Sequence, residues 1–279
     1  MPETANVFEF APSPLAVKDL ERLGEGRQAE LFAWPSGGVV KLFRSRDVAP
    51  AQMEAGLMQV LAPAGLPMPR MFGAVTIEQR PGIVMERLVG PDQLTILGRK
   101  PWTVWAVGRA LGQLHAQLHT AVAPEGLCPL RPSLRQQLEA SDVVPSPIRA
   151  LALADLDRLA DGAEICHWDF HPGNVIETAS GPRIIDWPNV HRGDRLADVA
   201  RTLLILQSGA LPPGAPLLVR KLTAVGRNVL GRRYLSEYRR RLPFKPCELE
   251  AWTRVSLASR LSYGLGEERE HLLHLISRL

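Results

Sequence analysis

The hydrophobic pattern changes character near residue 90, and this change limits the folds open to the chain. Before that point, strand-like runs are separated by glycine, proline and serine: LGEGRQAELFAW, GGVVKLF and GIVMERL. After residue 100, the run WTVWAVGRALGQLHAQLH spaces its apolar residues as a helix does, and most of the remaining sequence has a helical pattern. We therefore predict an α+β chain with a small β-rich lobe over 1–88, a hinge over 86–90 and a larger, mainly helical lobe over 89–279.

Two stretches need separate interpretation. The run APAQMEAGLMQVLAPAG predicts a helix inside the β-rich lobe, with Pro50 in its first turn and Gly65 near its end. The apolar positions of that helix are Met53, Leu57, Val60 and Leu61. Residues 121–150, rich in proline and serine, predict an irregular connection.

Composition indicates an ordinary globular protein, with 46% hydrophobic and 22% charged residues in 279. No run approaches 18 consecutive apolar residues and no basic segment precedes an apolar one at the start, so we expect a cytoplasmic protein without a membrane span. The cysteines Cys128, Cys166 and Cys247 lie far apart and are expected to be unpaired and buried.

One segment is strongly basic. Between Arg201 and Lys245 there are ten Lys or Arg residues against one acid, Glu237, a net charge of +9. Nucleic acid is a conceivable partner, but the segment has no interleaved aromatic residues at stacking positions, no zinc ligands and no evident recognition-helix pattern. A solvated helix face is the favoured interpretation.

The run HWDFHPGN, followed by a predicted hairpin, carries the richest chemistry. Residues 175–178 and 183–187 flank the turn-forming ASGP, and their pairing would bring Asn174 and Asp186 to one end of the hairpin. An amide oxygen and a carboxylate are hard ligands suited to Mg²⁺. Asp169 precedes Asn174 by five residues and is then free to accept a proton from a substrate hydroxyl.

This arrangement has the spacing of a kinase catalytic loop, HxDxxxxN, followed by a metal-binding aspartate. HWDFHPGN with the later IIDW and GDRLADVAR resembles the aminoglycoside phosphotransferase and choline kinase-like superfamily, whose pattern is roughly HGDxHPGN, IDW and GD with a further Asp. The motifs span residues 167–201. The resemblance implies a bilobal protein kinase-like fold.

The resemblance also implies residue roles. Asp169 would be the catalytic base, and Asn174 and Asp186 would be the Mg²⁺ ligands. Trp168 departs from the pattern, because the family commonly has a small residue between the His and the Asp. The residues assigned to structural support of the loop and the following helix are His167, His171 and Asp198.

The β-rich lobe offers matching nucleotide-binding candidates. Gly24 and Gly26 lie in a strand-turn-strand context where backbone NH groups could approach phosphates, although a plain hairpin turn would look the same. Lys41 sits on a half-buried strand and needs a partner. Glu54 lies against an apolar helical stripe, so we predict a Lys41–Glu54 ion pair that aims the lysine at the nucleotide phosphates.

The resemblance further implies that the hinge backbone, from Glu86 to Leu88, contacts adenine. The expected cofactors are ATP, with GTP not excluded, and Mg²⁺.

Two metal hypotheses based on histidine are less favoured. His115 and His119 have the i, i+4 spacing of a metal pair, but with no obvious third ligand a packed structural role is expected. A 2-His-1-carboxylate iron site from His167, Asp169 and His191 lacks the β-rich setting that such sites usually have.

We therefore predict an enzyme that transfers the γ-phosphate to a hydroxyl of a small molecule, an antibiotic or a hydroxylated metabolite. A catalytically silent nucleotide-binding module is an alternative, weakened because every catalytic position holds a competent residue. A nucleic-acid-binding protein using residues 201–245 is a second alternative. Monomer and homodimer both stay open.

The acceptor also stays open among aminoglycosides, macrolides, choline, sugars and amino acids. The arginines from Arg220 to Arg241 argue mildly against a polycation. The acids that could still line a local pocket are Asp194, Glu237, Glu267, Glu268 and Glu270.

Overall fold

A computed structural model describes residues 9–208 and 217–263, together with 269, 272, 273, 275 and 276. The predicted acidic residues Glu267, Glu268 and Glu270 lie outside them. Contacts divide the chain into two compact units: Met1–Pro91 with Ile176–Pro188, and Asp92–Val175 with Asn189–Leu279. The functional boundary after residue 88 stays a prediction.

The first unit is built on a sheet that has six strands among the described residues, in the order β1-β5-β6-β4-β3-β2. Its strands are β1 (Ala11–Pro12), β2 (Arg22–Glu25), β3 (Ala29–Ala33), β4 (Val39–Phe43), β5 (Met71–Ile77) and β6 (Arg80–Met85). Neighbouring strands are antiparallel except β1 and β5. Val40 and Leu42 of β4 are fully buried in a core with Phe32, Ile77 and Val84, so the alternation of the strand turns Lys41 to the opposite face.

Helix α1 (Ala49–Leu61) crosses this unit where the sequence predicts a helix, with Pro50 in its first turn. A short 3-10 turn and Gly65, at φ +62°, end it. The predicted apolar face is wrong at Met53, whose side chain is 55% exposed. Small residues complete the buried stripe instead, which consists of Ala51, Glu54, Ala55, Met58 and Leu61.

The second unit is mainly helical. Its helices are α2 (Gln93–Arg99), α3 (Val104–Leu118), α4 (Leu130–Glu139), α5 (Ser146–Arg158), α6 (Arg195–Ser208), α7 (Leu217–Arg241) and α8 (Pro246–Ser262). Helix α3 packs on α7, and α6 packs on both α7 and α8. The strands β7 (Glu164–Cys166) and β10 (His191–Gly193) form an antiparallel pair beside them.

The prediction of an irregular connection over 121–150 is wrong, because α4 and the start of α5 occupy much of it. Leu130, Leu134 and Leu138 are buried at i, i+4 and i+8, a helical spacing that the surrounding prolines obscure. Pro132 falls in the first turn of α4, where a backbone NH has no intrahelical partner to lose.

The predicted hairpin is present, formed by β8 (Val175–Thr178) and β9 (Gly181–Ile184). The second strand begins and ends earlier than the predicted 183–187, because the turn consists of two residues followed by Gly181 at φ +110°. The Ile184 amide donates to the Pro67 carbonyl at 2.6 Å, which ties the hairpin to the first unit.

The cysteines are free thiols, as expected, but only Cys166 is buried. Cys128 and Cys247 are exposed, so the expectation that these thiols pack in the core is wrong for both. None of the helices within the described ranges is both long enough and apolar enough to cross a membrane.

Candidate active site

Three predicted residues from separate elements meet in the first unit. The Lys41 ammonium on β4 donates to both Glu54 carboxylate oxygens on α1, at 2.7 and 2.8 Å. Its Nζ also lies 3.4 Å from Asp186 Oδ1, just after the hairpin. The Glu54 side chain is 7% exposed and that of Lys41 20%, whereas Asp186 is 43% exposed. The structure therefore brings Lys41, Glu54 and Asp186 together, with the aspartate turned most towards solvent.

Electrostatics keep the Lys41 side chain charged. Burial disfavours the ammonium, but the charges of Glu54 and Asp186 outweigh burial and raise the pKa of Lys41. The pKa of Glu54 is raised as well, because burial exceeds the opposing effect of Lys41. Asp186 itself adopts a left-handed backbone conformation at φ +66°, which is unusual for a residue other than glycine.

The predicted phosphate loop lies between β2 and β3. Gly24 is in β2, and the Gly26 amide donates to the Ala29 carbonyl at 2.8 Å. Neither glycine has a positive φ, and a Cβ would meet nothing within 4 Å at Gly24 and only the Ala29 carbonyl at 3.7 Å at Gly26. The local fold therefore does not require glycine at either position.

The predicted hinge follows β6 directly. The Glu86 carboxylate accepts hydrogen bonds from the Arg183 guanidinium at 3.0 Å and from the Arg70 amide at 3.1 Å. Its side chain is thus engaged within the first unit, and Leu88 is half-buried two residues later. Any adenine recognition here would fall to backbone groups.

The second unit holds the catalytic-loop residues, between β7 and β8. The Asn174 amide group donates to the Asp169 carbonyl at 2.9 Å and to the Asp169 carboxylate at 3.3 Å. These bonds fix the amide so that its nitrogen faces Asp169 and its oxygen faces elsewhere. The Asp169 side chain is 29% exposed. A carboxylate held by one neighbour and open to solvent can accept a proton from a bound hydroxyl.

Asp198, in the first turn of α6, anchors this loop from within the core. It is fully buried and accepts from the His167 amide at 2.6 Å and the Trp168 amide at 2.9 Å. The His115 and His119 Nε2 atoms lie 3.0 and 3.3 Å from the same carboxylate. Burial alone would raise the pKa of Asp198, but its histidine partners lower it well below its usual value, so it stays ionised.

The tautomers of both histidines follow from that charge. An ionised carboxylate only accepts, so each Nε2 carries the proton and each Nδ1 accepts from a tyrosine hydroxyl at 2.7 Å. The tyrosines are Tyr234 and Tyr238, one turn apart on α7. Potential ligand atoms of His115, His119 and Asp198 lie within 4.8 Å of one another. Asp198 thus supplies the third potential metal ligand that the sequence did not suggest. Each ring nitrogen of the two histidines nevertheless already has a hydrogen-bond partner, which is typical of a packed structural cluster.

The loop histidines contact their own backbone. His167 is fully buried, and its Nδ1 lies 3.3 Å from the Asp169 amide that donates to it. His171 accepts from the Gly173 amide at 3.0 Å and so caps the short turn Pro172–Asn174. His191 is elsewhere engaged, with its Nδ1 2.7 Å from the Asn189 carbonyl. In the described part of the chain, His115, His119 and Asp198 form the one three-residue cluster with metal-ligand geometry, and the alternative iron triad does not appear.

Sequence reasoning missed one residue beside the loop. Arg201, one turn after Asp198 on α6, is 5% exposed. Its guanidinium carbon lies 5.4 Å from the Trp168 ring centroid and 5.5 Å from that of Tyr263. Arg201 is the first residue of the basic segment in the sequence. The bulky Trp168 was the one feature of the sequence that indicated an unusual contact beside the loop. The other described basic residues of the segment include exposed ones on α7, as a solvated face predicts: Lys221, Arg232, Arg239, Arg240 and Arg241.

The acids proposed to attract a polycation are engaged within the second unit. Asp194 accepts from the Leu196 amide at 2.8 Å and the Trp252 indole NH at 3.0 Å. Glu237 pairs with Arg240 at 2.6 Å and Arg241 at 3.1 Å. Hydrogen bonds from these arginines and from Gln113 lower the pKa of Glu237 to about 2. Neither carboxylate is left to line an acceptor pocket.

Comparison with known proteins agrees with this geometry. The sequence matches the phosphotransferase enzyme family over residues 19–244. An aminoglycoside-3'-phosphotransferase of type VIII is similar in structure, with a TM-score of 0.59 and 19% identity over 86% of this chain and 93% of that one. The macrolide 2'-phosphotransferase MphH from Brachybacterium faecium has a TM-score of 0.55 and 20% identity, over 88% of this chain and 86% of that one.

The protein in the ternary complex of streptomycin, ATP and APH(2'')-IIa has a TM-score of 0.55 and 16% identity, over 93% of this chain and 91% of that one. No curated protein sequence matches the chain. At these identities the solved structures establish the fold, and the predicted α+β, protein kinase-like fold is confirmed. The family match covers the greater part of the sequence, and the chain belongs to the phosphotransferase enzyme family.

Proposed function

We propose that this phosphotransferase moves the γ-phosphoryl group of a nucleoside triphosphate, ATP or GTP, to a hydroxyl of a small molecule. The observation that carries the proposal is the meeting of Lys41, Glu54 and Asp186, three side chains distant in sequence that were predicted for nucleotide or metal binding. Similar structures are complexes with ATP and with GDP, which supports a nucleotide donor without choosing between the two bases.

On the nucleotide side, Lys41 acts as a fixed positive charge. Two hydrogen bonds to Glu54 hold the ammonium on the face of the sheet opposite the buried core, and this geometry suits contact with the α and β phosphates. Gly24 and Gly26 leave open space above the strand turn, so backbone NH groups there can approach the phosphates closely. The backbone from Glu86 to Leu88 contacts the base.

On the acceptor side, Asp169 orients the hydroxyl and accepts its proton as phosphoryl transfer proceeds. Hydrogen bonds from the Asn174 amide to Asp169, and from the loop backbone to Asp198, hold the loop, so the Asp169 carboxylate keeps its direction between turnovers. The protein forms no covalent bond in such a transfer, and much of the rate enhancement comes from positioning the two substrates.

The residues present fit Mg²⁺. The Asn174 amide oxygen faces away from Asp169 because the nitrogen is committed to it, and Asp186 is the most exposed member of its cluster. Both offer hard oxygen atoms, the ligands that Mg²⁺ prefers. We propose that these two residues hold the ion, which when bound neutralises charge on the phosphate oxygens.

An Asp169→Asn variant tests the proposal. It keeps the size of the side chain but cannot accept the proton, so acceptor-dependent ADP release should fall by about a thousandfold or more, within the range of general base catalysis with positioning. Nucleotide binding, measured by calorimetry, should stay within about twofold of wild type, since the change lies outside the nucleotide cluster.

The assay uses Mg²⁺ and a panel of hydroxylated antibiotics, choline, sugars and amino alcohols. Asp157→Asn, an exposed change on α5, is the matched control and should keep wild-type turnover. An Asp169→Asn enzyme that still phosphorylates its acceptor at the wild-type rate would exclude Asp169 as the base.

A further inference from the structure

Arg201 is a buried charge, two of whose nitrogens have no hydrogen-bond partner in the part of the chain that the structure describes. Its side chain is 5% exposed, and its Nε and Nη1 atoms have no acceptor among the described residues. A buried guanidinium left in this state is unfavourable, because its donors lose water and gain nothing in exchange. Such a group persists in a fold when it has another use.

The charges around Arg201 do not compensate for it. Burial and the nearby charge of Arg260 on α8 both lower the pKa of Arg201, although an arginine remains protonated at neutral pH. The carboxylates that act favourably on it, Asp169 and Asp198, already have other partners. Two guanidinium groups therefore share this region, and no carboxylate of a described residue forms a hydrogen bond with Arg201 Nε or Nη1.

Arg201 lies between one buried aromatic ring and one exposed aromatic ring. Trp168, which is 4% exposed, lies beneath the guanidinium, whereas Tyr263 covers it at the end of α8 and is 51% exposed. The Tyr263 side of the guanidinium is therefore the side from which a ligand could reach the unpaired donors. Because Trp168 directly precedes Asp169, these donors open beside the proposed base.

We propose that Arg201 forms an anion-binding subsite for the acceptor, so that the molecule phosphorylated carries a carboxylate or phosphate group near its reactive hydroxyl. This inference rests on the proposed function and narrows its substrate class. An incoming anion takes the unpaired Nε and Nη1 donors, screens Arg201 from Arg260 and replaces the Tyr263 ring as cover. Hydroxy acids and phosphorylated alcohols fit this subsite, and polycations do not.

Binding tests the subsite without turnover. The wild-type chain is saturated with ADP and Mg²⁺, so that the nucleotide site is filled, and its Tm is followed in D-glycerate, glycerol 3-phosphate or glycerol at constant ionic strength. We expect both anions, but not glycerol, to raise the Tm, and Arg201→Met to abolish that rise while keeping the shift caused by ADP. The glycerate and glycerol 3-phosphate arms separate a carboxylate site from a phosphate site.

The control variants distinguish recognition from packing. Arg109→Met, an exposed change on α3, should keep the response to anions. Without ligand, Arg201→Met should melt at a higher temperature than wild type, because a hydrophobic side chain replaces an unpaired buried charge. A lower Tm together with an intact response to anions would mean that Arg201 only packs between rings and would overturn the proposal. Arg201→Lys, which keeps the charge but loses the planar fork, should bind the anions about tenfold more weakly.

Turnover gives a second readout. The kcat/KM for D-glycerate or glycerol 3-phosphate should exceed that for glycerol and choline by about tenfold or more, and Arg201→Met should remove this preference by lowering kcat/KM for both anions. A preference for choline over the anions would refute the subsite. If no acceptor is phosphorylated at all, the proposed function fails, yet the Tm response still decides whether Arg201 binds anions.

Discussion

The buried pair of His115 and Asp198 predicts a protein whose stability falls on mild acidification. His115 is fully buried, donates to the Asp198 carboxylate and accepts from Tyr234. Burial, followed by the neighbouring charge of His119, lowers the pKa of His115 to about 4, despite the attraction of Asp198. In the unfolded chain the same imidazole has a pKa of about 6.5.

The sign and size of the effect come from these two values. Above about pH 6.5 the imidazole is neutral in both states, so it contributes no pH dependence. Between about pH 6.5 and 4 the unfolded chain binds a proton that the native chain does not, so the free energy of unfolding falls as the pH falls. The difference between the two pKa values corresponds to about 3 kcal/mol, a large part of a typical total of roughly 5–15 kcal/mol.

Urea unfolding at pH 7, 6, 5 and 4.5 measures the effect. In a His115→Gln variant the amide can still donate to Asp198 and accept from Tyr234, but it does not titrate. Wild type should therefore lose about 2–3 kcal/mol more than this variant between pH 7 and 4.5. Arg109→Met should follow wild type, and equal slopes for wild type and His115→Gln would refute the assignment of a neutral, buried His115.

Two further predictions concern the anchors of each half of the site. In Glu54→Gln, Lys41 loses one charge-assisted hydrogen bond worth about 1.5–3 kcal/mol, so kcat/KM for the nucleotide should fall by roughly 10- to 150-fold. Steady-state kinetics measure this change, and an unchanged kcat/KM would contradict the proposed role of the Lys41–Glu54 pair. In Asp198→Asn, one backbone donor of the loop faces an amide NH₂ and the buried charge is lost, so urea unfolding should show a loss of about 3–5 kcal/mol. In Asp194→Asn only one of two hydrogen bonds is lost, so the loss should be about 1–3 kcal/mol.

The placement of the catalytic-loop candidates could be predicted because these residues are local in sequence. The spacing of Asp169, Asn174 and Asp186 around a short hairpin fixes which elements carry them, and no long-range information is needed. The Lys41–Glu54 pair was also predictable, since a charge on a half-buried strand and a carboxylate on an apolar helical stripe each require a partner.

The features that could not be predicted depend on packing between distant elements. The tyrosine partners of His115 and His119 come from α7, more than a hundred residues later, and nothing in either helix alone indicates the pairing. The correct face of α1 depended on alanines that carry almost no periodic signal. Arg201 resembled the exposed arginines later in the segment, because burial of a charge is a tertiary property.

The backbone at residue 168 connects the anchor of the loop to its specificity. Trp168 has φ +65°, a conformation that glycine adopts freely and that costs another residue about 1–3 kcal/mol. The hydrogen bond from its amide to Asp198 at 2.9 Å holds the strained conformation in place. Glycine would therefore be the less strained choice at this position.

The tryptophan is accounted for by what its ring does. The ring is buried and forms one side of the enclosure around Arg201, one residue before Asp169. An unpaired buried charge and a strained backbone are each unfavourable for stability, and they occur together beside the proposed base. Unfavourable features of this kind tend to occur together at binding sites, where function rather than stability determines the residues. The unusual tryptophan at position 168 and the unpaired donors of Arg201 are therefore best explained together, as two parts of one acceptor-binding surface.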